Sequence, residues 1–538
     1  MRKRIRPSRL ALLLLAFTVL FAAGCQAVGG LDLNKTLLNA MKVTSSESNQ
    51  TLEFKLDLNE DVLAEDYLEE EIELIKLLSN IKLDVKNAKL ENESRLSLEG
   101  RLVLGEKAEY DIGFNLKMNE KTMVVHLDGA KQPFTFDLTG AALLEASGLS
   151  TEEQTGNSAA TDQASMTKLG FDIADQIGGY VINNLPNPKG LKVEASNQQI
   201  NGVSTPLMGV QFEMDGSELF NWFRSYVDAL VADKAGLEKM VKGIIGVLKS
   251  NPEYWEAIGE ANPLESGELD APTADEIAEE ASTFLYESIV DLKKELDSAE
   301  EESEELSIDQ LLGGKLNLKV NVYVDQKLDI RKQQVQISFK QQPSSNPEES
   351  YPLPFSGFTL STSEERWNVN SSVKADAPEA TPNAVSIEEA SLLEGYQAVK
   401  LFDDKSDIYD LLKNKLHITR QEYYTFNDEY YNPPIILPGY ITIVPVRDVA
   451  DQFGATTTYN AKTKTVVIFD EATNTTIELK RDSDIVVVNG QKQTWPASVT
   501  SVEGTLYAPA RKLAEALGAS IAWEPLSDGK MLVIEREL

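Results

Sequence analysis

Few side chains in this sequence have types and spacings suited to chemistry, and one of them is unique. Cys25 is the sole cysteine, so neither an internal disulfide nor a cysteine-based metal cluster can form. The two histidines, His126 and His417, stand in no HExxH or paired-histidine spacing that would hold zinc or copper. His126 falls on the polar side of the alternating run Met123 to Leu127, and His417 lies between Leu416 and Ile418, so both read as structural. No GxSxG, phosphate-loop or GxGxxG phrase occurs. Asp57, Asn59 and Asp61 have the spacing that opens a calcium loop. Val62, however, occupies the glycine position and Leu68 the glutamate position, so Asp61 is expected to cap a helix. Carboxylates are abundant enough for paired-acid hydrolysis, but no aromatic-lined cleft pattern accompanies them. The expectation is a protein with no catalytic residue, no metal and no cofactor.

What Cys25 can do is set by its neighbours. A basic stretch, Met1 to Arg9, precedes the apolar run Leu10 to Phe21, and the small residues Ala22, Ala23 and Gly24 lead into the cysteine. The apolar run is too short to span a bilayer and reads as a secretory signal. The stretch Ala22-Ala23-Gly24-Cys25 resembles the bacterial lipobox, with Ala22 where leucine is usual. The resemblance implies a lipoprotein signal peptide over residues 1–24 and a diacylglycerylated Cys25 as the new first residue. Residues 25–30 then form a tether, and the mature chain is held on the outer face of the cytoplasmic membrane. The alternative is an ordinary secretory signal with an incidental cysteine.

Charge narrows the partners. Lys plus Arg total 51 against 86 Asp plus Glu, a net −35. Arg2, Lys3, Arg4, Arg6 and Arg9 all precede Cys25, so the mature chain is more acidic still. Such a surface repels phosphate backbones, which excludes nucleic acid as a partner. It also disfavours lying on anionic head groups without an anchor.

The elements that carry these residues are those of an α+β protein. A chain of 538 residues exceeds what one core serves. From residue 31 to 374 helical stretches alternate with period-two runs. Leu316, Leu318, Val320, Val322 and Val324 are the cleanest strand. Asp61–Ser79 places Leu68, Ile72 and Ile75 on one helical stripe. Thr51–Tyr67 and Gly209–Tyr226 share a strand with phenylalanine, an Asp-containing corner and a helix start. Two helix-and-antiparallel-sheet halves are therefore expected, 31–205 and 206–374, related by a duplication or by chance. The composite is similar to the lipid-carrier lipoproteins of bacterial envelopes, which implies a hydrophobic ligand between sheet and helices. Residues 375–385 read as a Pro- and Ala-rich linker and 386–433 as a connecting segment. In the latter, the aromatics Tyr423, Tyr424, Phe426, Tyr430 and Tyr431 read as packing ahead of a sugar-stacking platform.

The clearest internal repeat follows. Pro445, Arg447 and Gly454 recur sixty-four residues later as Pro509, Arg511 and Gly518. Each copy predicts a strand, a proline opening a helix and a glycine ending it. This doubled phrase resembles the copper amine oxidase N-terminal-like domain, a stalk module of Gram-positive surface proteins, over residues 434–538. The resemblance implies a small α/β domain with antiparallel strands around helices and no copper chemistry. Ala508 and Ala510 depart from the usual Val and Leu. Arg447 and Arg511 are expected to anchor strand carbonyls or carboxylates, the alternative being a grip on an anionic glycan.

The function expected is that of a non-catalytic cell-surface lipoprotein, a binding or scaffold protein tied to the membrane through Cys25. Its partner is a cell-wall component or a protein. Two alternatives stand beside it: a carrier of a lipid or other hydrophobic ligand, and a protein of cell-wall glycan binding or hydrolysis.

Overall fold

Short acidic caps set the helices that cover the first sheet. The Asp32 carboxylate accepts the Lys35 amide at 3.0 Å and opens α1, Leu33–Met41. The computed structural model describes residues 29–138, 163–251, 273–301, 315–341, 353–379, 381–426, 431–526 and 529–538. Two units result. One runs to Ser386, and the other comprises Ile387–Leu538 together with Gly129–Lys131.

In the first unit β1 (Ser46–Leu58) leads into α2 (Glu60–Asp66) and α3 (Glu69–Leu78). A meander follows: β2 (Asn80–Asn92), β3 (Arg95–Leu104), β4 (Tyr110–Met118), β5 (Thr122–Leu127) and β6 (Phe134–Asp137). Next come α4 (Gln163–Asn183), β7 (Lys192–Ile200), β8 (Val203–Asp215), α5 (Gly216–Ala232), α6 (Lys234–Lys249) and α7 (Ala274–Glu301). The unit closes with β9 (Leu316–Val324), β10 (Ile330–Lys340), β11 (Phe355–Trp367) and β12 (Val385–Ser386). The strands form one twelve-stranded sheet in the order β12-β6-β5-β4-β3-β2-β1-β11-β10-β9-β8-β7. Its pairings are antiparallel except for β12 beside β6.

Alternation along β8 and β9 gives this part of the sheet one apolar and one polar face. Val210, Phe212 and Met214 of β8 and Leu318, Val320 and Val322 of β9 are buried under Leu33 and Leu37 of α1, Ile182 of α4, and Leu219, Trp222 and Tyr226 of α5. Burying each such side chain contributes roughly 1.5–3 kcal/mol. Trp222 also donates its indole N–H to Pro186 O at 2.7 Å. A second helical layer stands on the first, where Leu237 and Val241 of α6 and Ala278 of α7 meet Tyr180 of α4. The corner into α5 is a capping box: Asp215 accepts the Glu218 amide at 2.8 Å and Glu218 reaches back to the Asp215 amide.

Several sequence expectations are redrawn. Residues 205 and 206, the expected border between halves, lie inside β8, and β1 pairs with β11, so both halves build one sheet. The two look-alike corners are β1 into α2 and β8 into α5. The stretch 61–79 is not one helix: it breaks at Tyr67 and Leu68, which rotates Leu68 outward to 73% exposure and leaves Val62, Leu63 and Leu77 as the buried contacts. Asn59, not Asp61, occupies the cap of α2, and Asp61 sits in its first turn, where the helix dipole favours an acid. The expected linker is held against the sheet. The Ala375 amide donates to Glu91 at 3.1 Å, the Asp376 amide donates to Ser97 Oγ at 3.0 Å, and Val385 pairs with Phe134.

The second unit contains β13 (Arg420–Phe426), β14 (Ile435–Leu437), β15 (Ile441–Pro445), α8 (Val446–Gln452), β16 (Thr456–Asn460), β17 (Thr465–Asp470) and β18 (Thr475–Lys480). It continues with β19 (Ser483–Val488), β20 (Gln491–Val502), β21 (Thr505–Pro509), α9 (Ala510–Ala516), β22 (Ser520–Leu526) and β23 (Gly529–Glu537). Eight strands order as β14-β15-β21-β20-β19-β18-β17-β16 and three as β13-β23-β22. All pair antiparallel around the buried faces of α8 and α9. Because β13 pairs along β23, part of the presumed connecting segment belongs to this fold.

Candidate functional site

Cys25 and the lipobox residues Ala22, Ala23 and Gly24 lie outside the described residues, as does Tyr430. Among the described residues no helix is long and apolar enough to cross a membrane, and no group of three or more His, Cys, Asp or Glu converges as metal ligands would. His126 is exposed on β5. The Nδ1 of His417 stands 3.7 Å from Glu537 Oε2. The aromatic cluster is split by the alternation of β13: Tyr423 is in the core while Tyr424 is exposed. Tyr431 is exposed as well.

The repeat residues take matching places. Pro445 and Pro509 are the residues just ahead of α8 and α9, with φ −66 and −54. Gly454 and Gly518 follow the helices with φ +64 and +72. The Ala455 amide donates to Ala450 O and the Ala519 amide to Ala514 O, each at 2.9 Å. The copies meet where β15 pairs with β21, with Val444 opposite its own counterpart Ala508 and both fully buried. The pair sits on a local two-fold relation. Arg447 and Arg511 do not act as anchors. Both are exposed and neither has a hydrogen bond or ion pair to another described residue. The anchoring arginine is Arg536, which spacing did not single out. Its guanidinium donates to Leu517 O at 2.7 Å, Phe453 O at 3.3 Å and Gln421 Oε1 at 2.8 Å, and it pairs with Asp470. Phe453 and Leu517 are the C-caps of α8 and α9, so one cation closes both helix ends.

An open cleft lies on the polar face of the twelve-stranded sheet. A cleft of about 840 Å³ runs from the β1 segment Glu53–Leu58 past Lys76 and Ser79 to the turn Gly105–Glu109. A second, of about 480 Å³, is lined by Thr51, Glu53, Lys82, Lys319, Asn321, Gln334, Gln336, Ser361 and Ser363. The two share Glu53 and Lys82 and so form one trough. Its side chains come from five neighbouring strands in register: Asn321 opposite Gln334, Gln334 opposite Ser363, and Ser363 opposite Thr51. A second row places Gln336 opposite Ser361, Ser361 opposite Glu53, and Glu53 opposite Lys82. Charges near β2 are mutually paired. Lys82 Nζ lies 3.3 Å from Asp84 and 3.4 Å from Glu53, and the Asp84 acceptor holds the Lys82 ammonium above its usual pKa. Thr51 Oγ1 donates to Asp84 at 2.8 Å. The trough has no counterpart in local sequence spacing, because its rows draw on residues 51 to 363.

Comparison with curated proteins finds no match, and comparison with solved structures finds none either. The family model for the copper amine oxidase N-terminal domain, a non-catalytic domain, matches residues 425–528, so the carboxy-terminal unit of this chain carries a domain of that family.

Proposed function

We propose that this chain is a non-catalytic bacterial surface lipoprotein. It is tethered through Cys25 to the outer face of the cytoplasmic membrane, and it binds a cell-wall or protein partner along the polar face of its sheet. The observation that carries the reading is the trough: about 840 and 480 Å³ of adjoining cleft on the sheet, lined mostly by polar residues. The carboxy-terminal unit acts as spacer or wall contact. The carrier reading expects room for a ligand between sheet and helices. Between α1 and strands β8 and β9 the cavity lined by Leu33, Val210, Phe212 and Val322 holds only about 10 Å³, barely the space of one water. The polar face is therefore favoured.

The test has two arms. Cells making the Cys25→Ser chain should release it to the medium, whereas the wild type should take up labelled palmitate and stay with membranes. A photo-crosslinking residue at Gln336 should capture surface material that the same residue at exposed Glu287 of α7 does not. A chain that stays on the membrane without its thiol, or a Gln336 probe that captures nothing, sinks the reading.

A further inference from the structure

The middle of the trough differs from its ends. Near β2 the charged groups satisfy one another, as Lys82 does with Glu53 and Asp84. In the middle, Asn321, Gln334, Gln336, Ser361 and Ser363 make no side-chain hydrogen bond to any described residue, although they line one cleft. Amides and hydroxyls each offer both a donor and an acceptor. The site therefore presents a two-dimensional array of mostly uncharged groups able to give and to take hydrogen bonds, with the exposed Lys319 opposite Gln336 as its one cation.

An occupant must match that array. A strongly anionic polymer is repelled by a chain of net charge −35. An extended peptide would pair along a sheet edge and seek apolar pockets for alternate side chains, and the middle of the trough is a strand face on which amides and hydroxyls outnumber the single ammonium of Lys319. What remains is an uncharged chain dense in hydroxyls. The span sets its length. Strands lie about 4.8 Å apart, so the four gaps from β9 through β10, β11 and β1 to β2 cover roughly 19 Å, which is several sugar rings and not one.

Resting on the binding reading above, we propose that the middle of the trough binds an uncharged oligosaccharide laid across strands β9 to β2 and recognised through its hydroxyls by direct hydrogen bonds. Titration calorimetry of the full chain with N-acetylchitohexaose and cellohexaose as probes tests it. At least one hexasaccharide should bind, its monosaccharide should give no heat, and the affinity should hold between low and high salt, since an uncharged ligand forms no ion pair with Lys319 or any other group of the trough. The double variants Gln334→Ala/Gln336→Ala and Ser361→Ala/Ser363→Ala should each weaken binding by about tenfold or more, with circular dichroism unchanged. Binding of neither hexasaccharide, affinity indifferent to both double variants, or affinity that collapses with salt would overturn the assignment. Capture of material at Gln336 on cells without any hexasaccharide binding would refute the glycan and leave the binding reading standing. Failure of both experiments would remove both.

Discussion

The Arg536 guanidinium and the Asp470 carboxylate pair with only 1% of either side chain exposed, in the core of the carboxy-terminal unit. Asp470 also accepts from Thr473 Oγ1 at 2.6 Å and from the Ala472 amide at 3.1 Å, while Arg536 also donates to the C-caps Phe453 and Leu517 and to Gln421 Oε1. Removing one partner leaves a buried charge uncompensated. Arg536→Ala is therefore expected to cost about 3–5 kcal/mol, and pairing Arg536→Met with Asp470→Asn to recover much of it. Hydrogen exchange of peptides covering α8 and α9 reads this directly, and unchanged protection in Arg536→Ala would refute the role. The same pair sets an acid limit. Burial alone pushes the Asp470 carboxyl up, but the hydrogen bonds from Arg536 and Thr473 and the guanidinium charge outweigh it and hold the pKa below the usual value. Its contribution is present above the unfolded carboxylate pKa and is lost as pH falls through the lower folded value. Acid unfolding of this unit should shift in Asp470→Asn.

The glycines that end α8 and α9 hold a left-handed conformation, with space around each. An added Cβ would meet no atom closer than 3.7 Å at Gly454 or 4.0 Å at Gly518. The penalty for alanine is thus conformational and not steric. Gly454→Ala and Gly518→Ala should each destabilise the unit by about 1–2 kcal/mol, and asparagine at either place by less. Chemical denaturation followed through buried Trp495 checks it. An asparagine variant no better than alanine would contradict the account.

Arg447 and Arg511 make the opposite case. They recur with the repeat and yet stand in solvent, so Arg447→Ala and Arg511→Ala should change stability by no more than about 0.5 kcal/mol. The same denaturation series measures them. A loss of affinity for anionic wall polymer at unchanged stability would assign the pair to a ligand.

What the sequence made legible follows from which residues share a face. The alternation of β9 was plain because Leu318, Val320 and Val322 all enter one core. The strands β7 and β11 were hidden: Lys192–Ile200 is an edge, and Phe355–Trp367 carries Ser361 and Ser363 on one side and Thr362 and Glu364 on the other, so neither shows a hydrophobic period. The repeat located α8 and α9 of the carboxy-terminal unit. It misdirected attention to Arg447, because the arginine that holds the domain has Ala472 as its counterpart sixty-four residues earlier. The trough was out of reach, since its rows form only when strands distant in sequence come into register.

The helical cover of the first unit contains a titratable contact that reports on its packing. Tyr180 of α4 is buried and donates its hydroxyl to Leu230 O of α5 at 2.9 Å. Burial, and secondarily the nearby Asp233 carboxylate, push its pKa up to about 12. The unfolded phenol ionises near 10, so the folded pKa is the higher of the two. The stability this group contributes is complete below pH ~10 and is lost as pH rises from there through about 12. Tyr180→Phe abolishes that alkaline loss but leaves the Leu230 carbonyl unpaired by the phenol, so the variant should be less stable at neutral pH by about 0.5–1.5 kcal/mol. Its stability should also be flatter above pH 10. Ultraviolet titration of the phenolates, wild type against Tyr180→Phe, should show one late-ionising tyrosine disappear. A variant with an unchanged alkaline profile would show that this hydroxyl is not what couples α4 to α5.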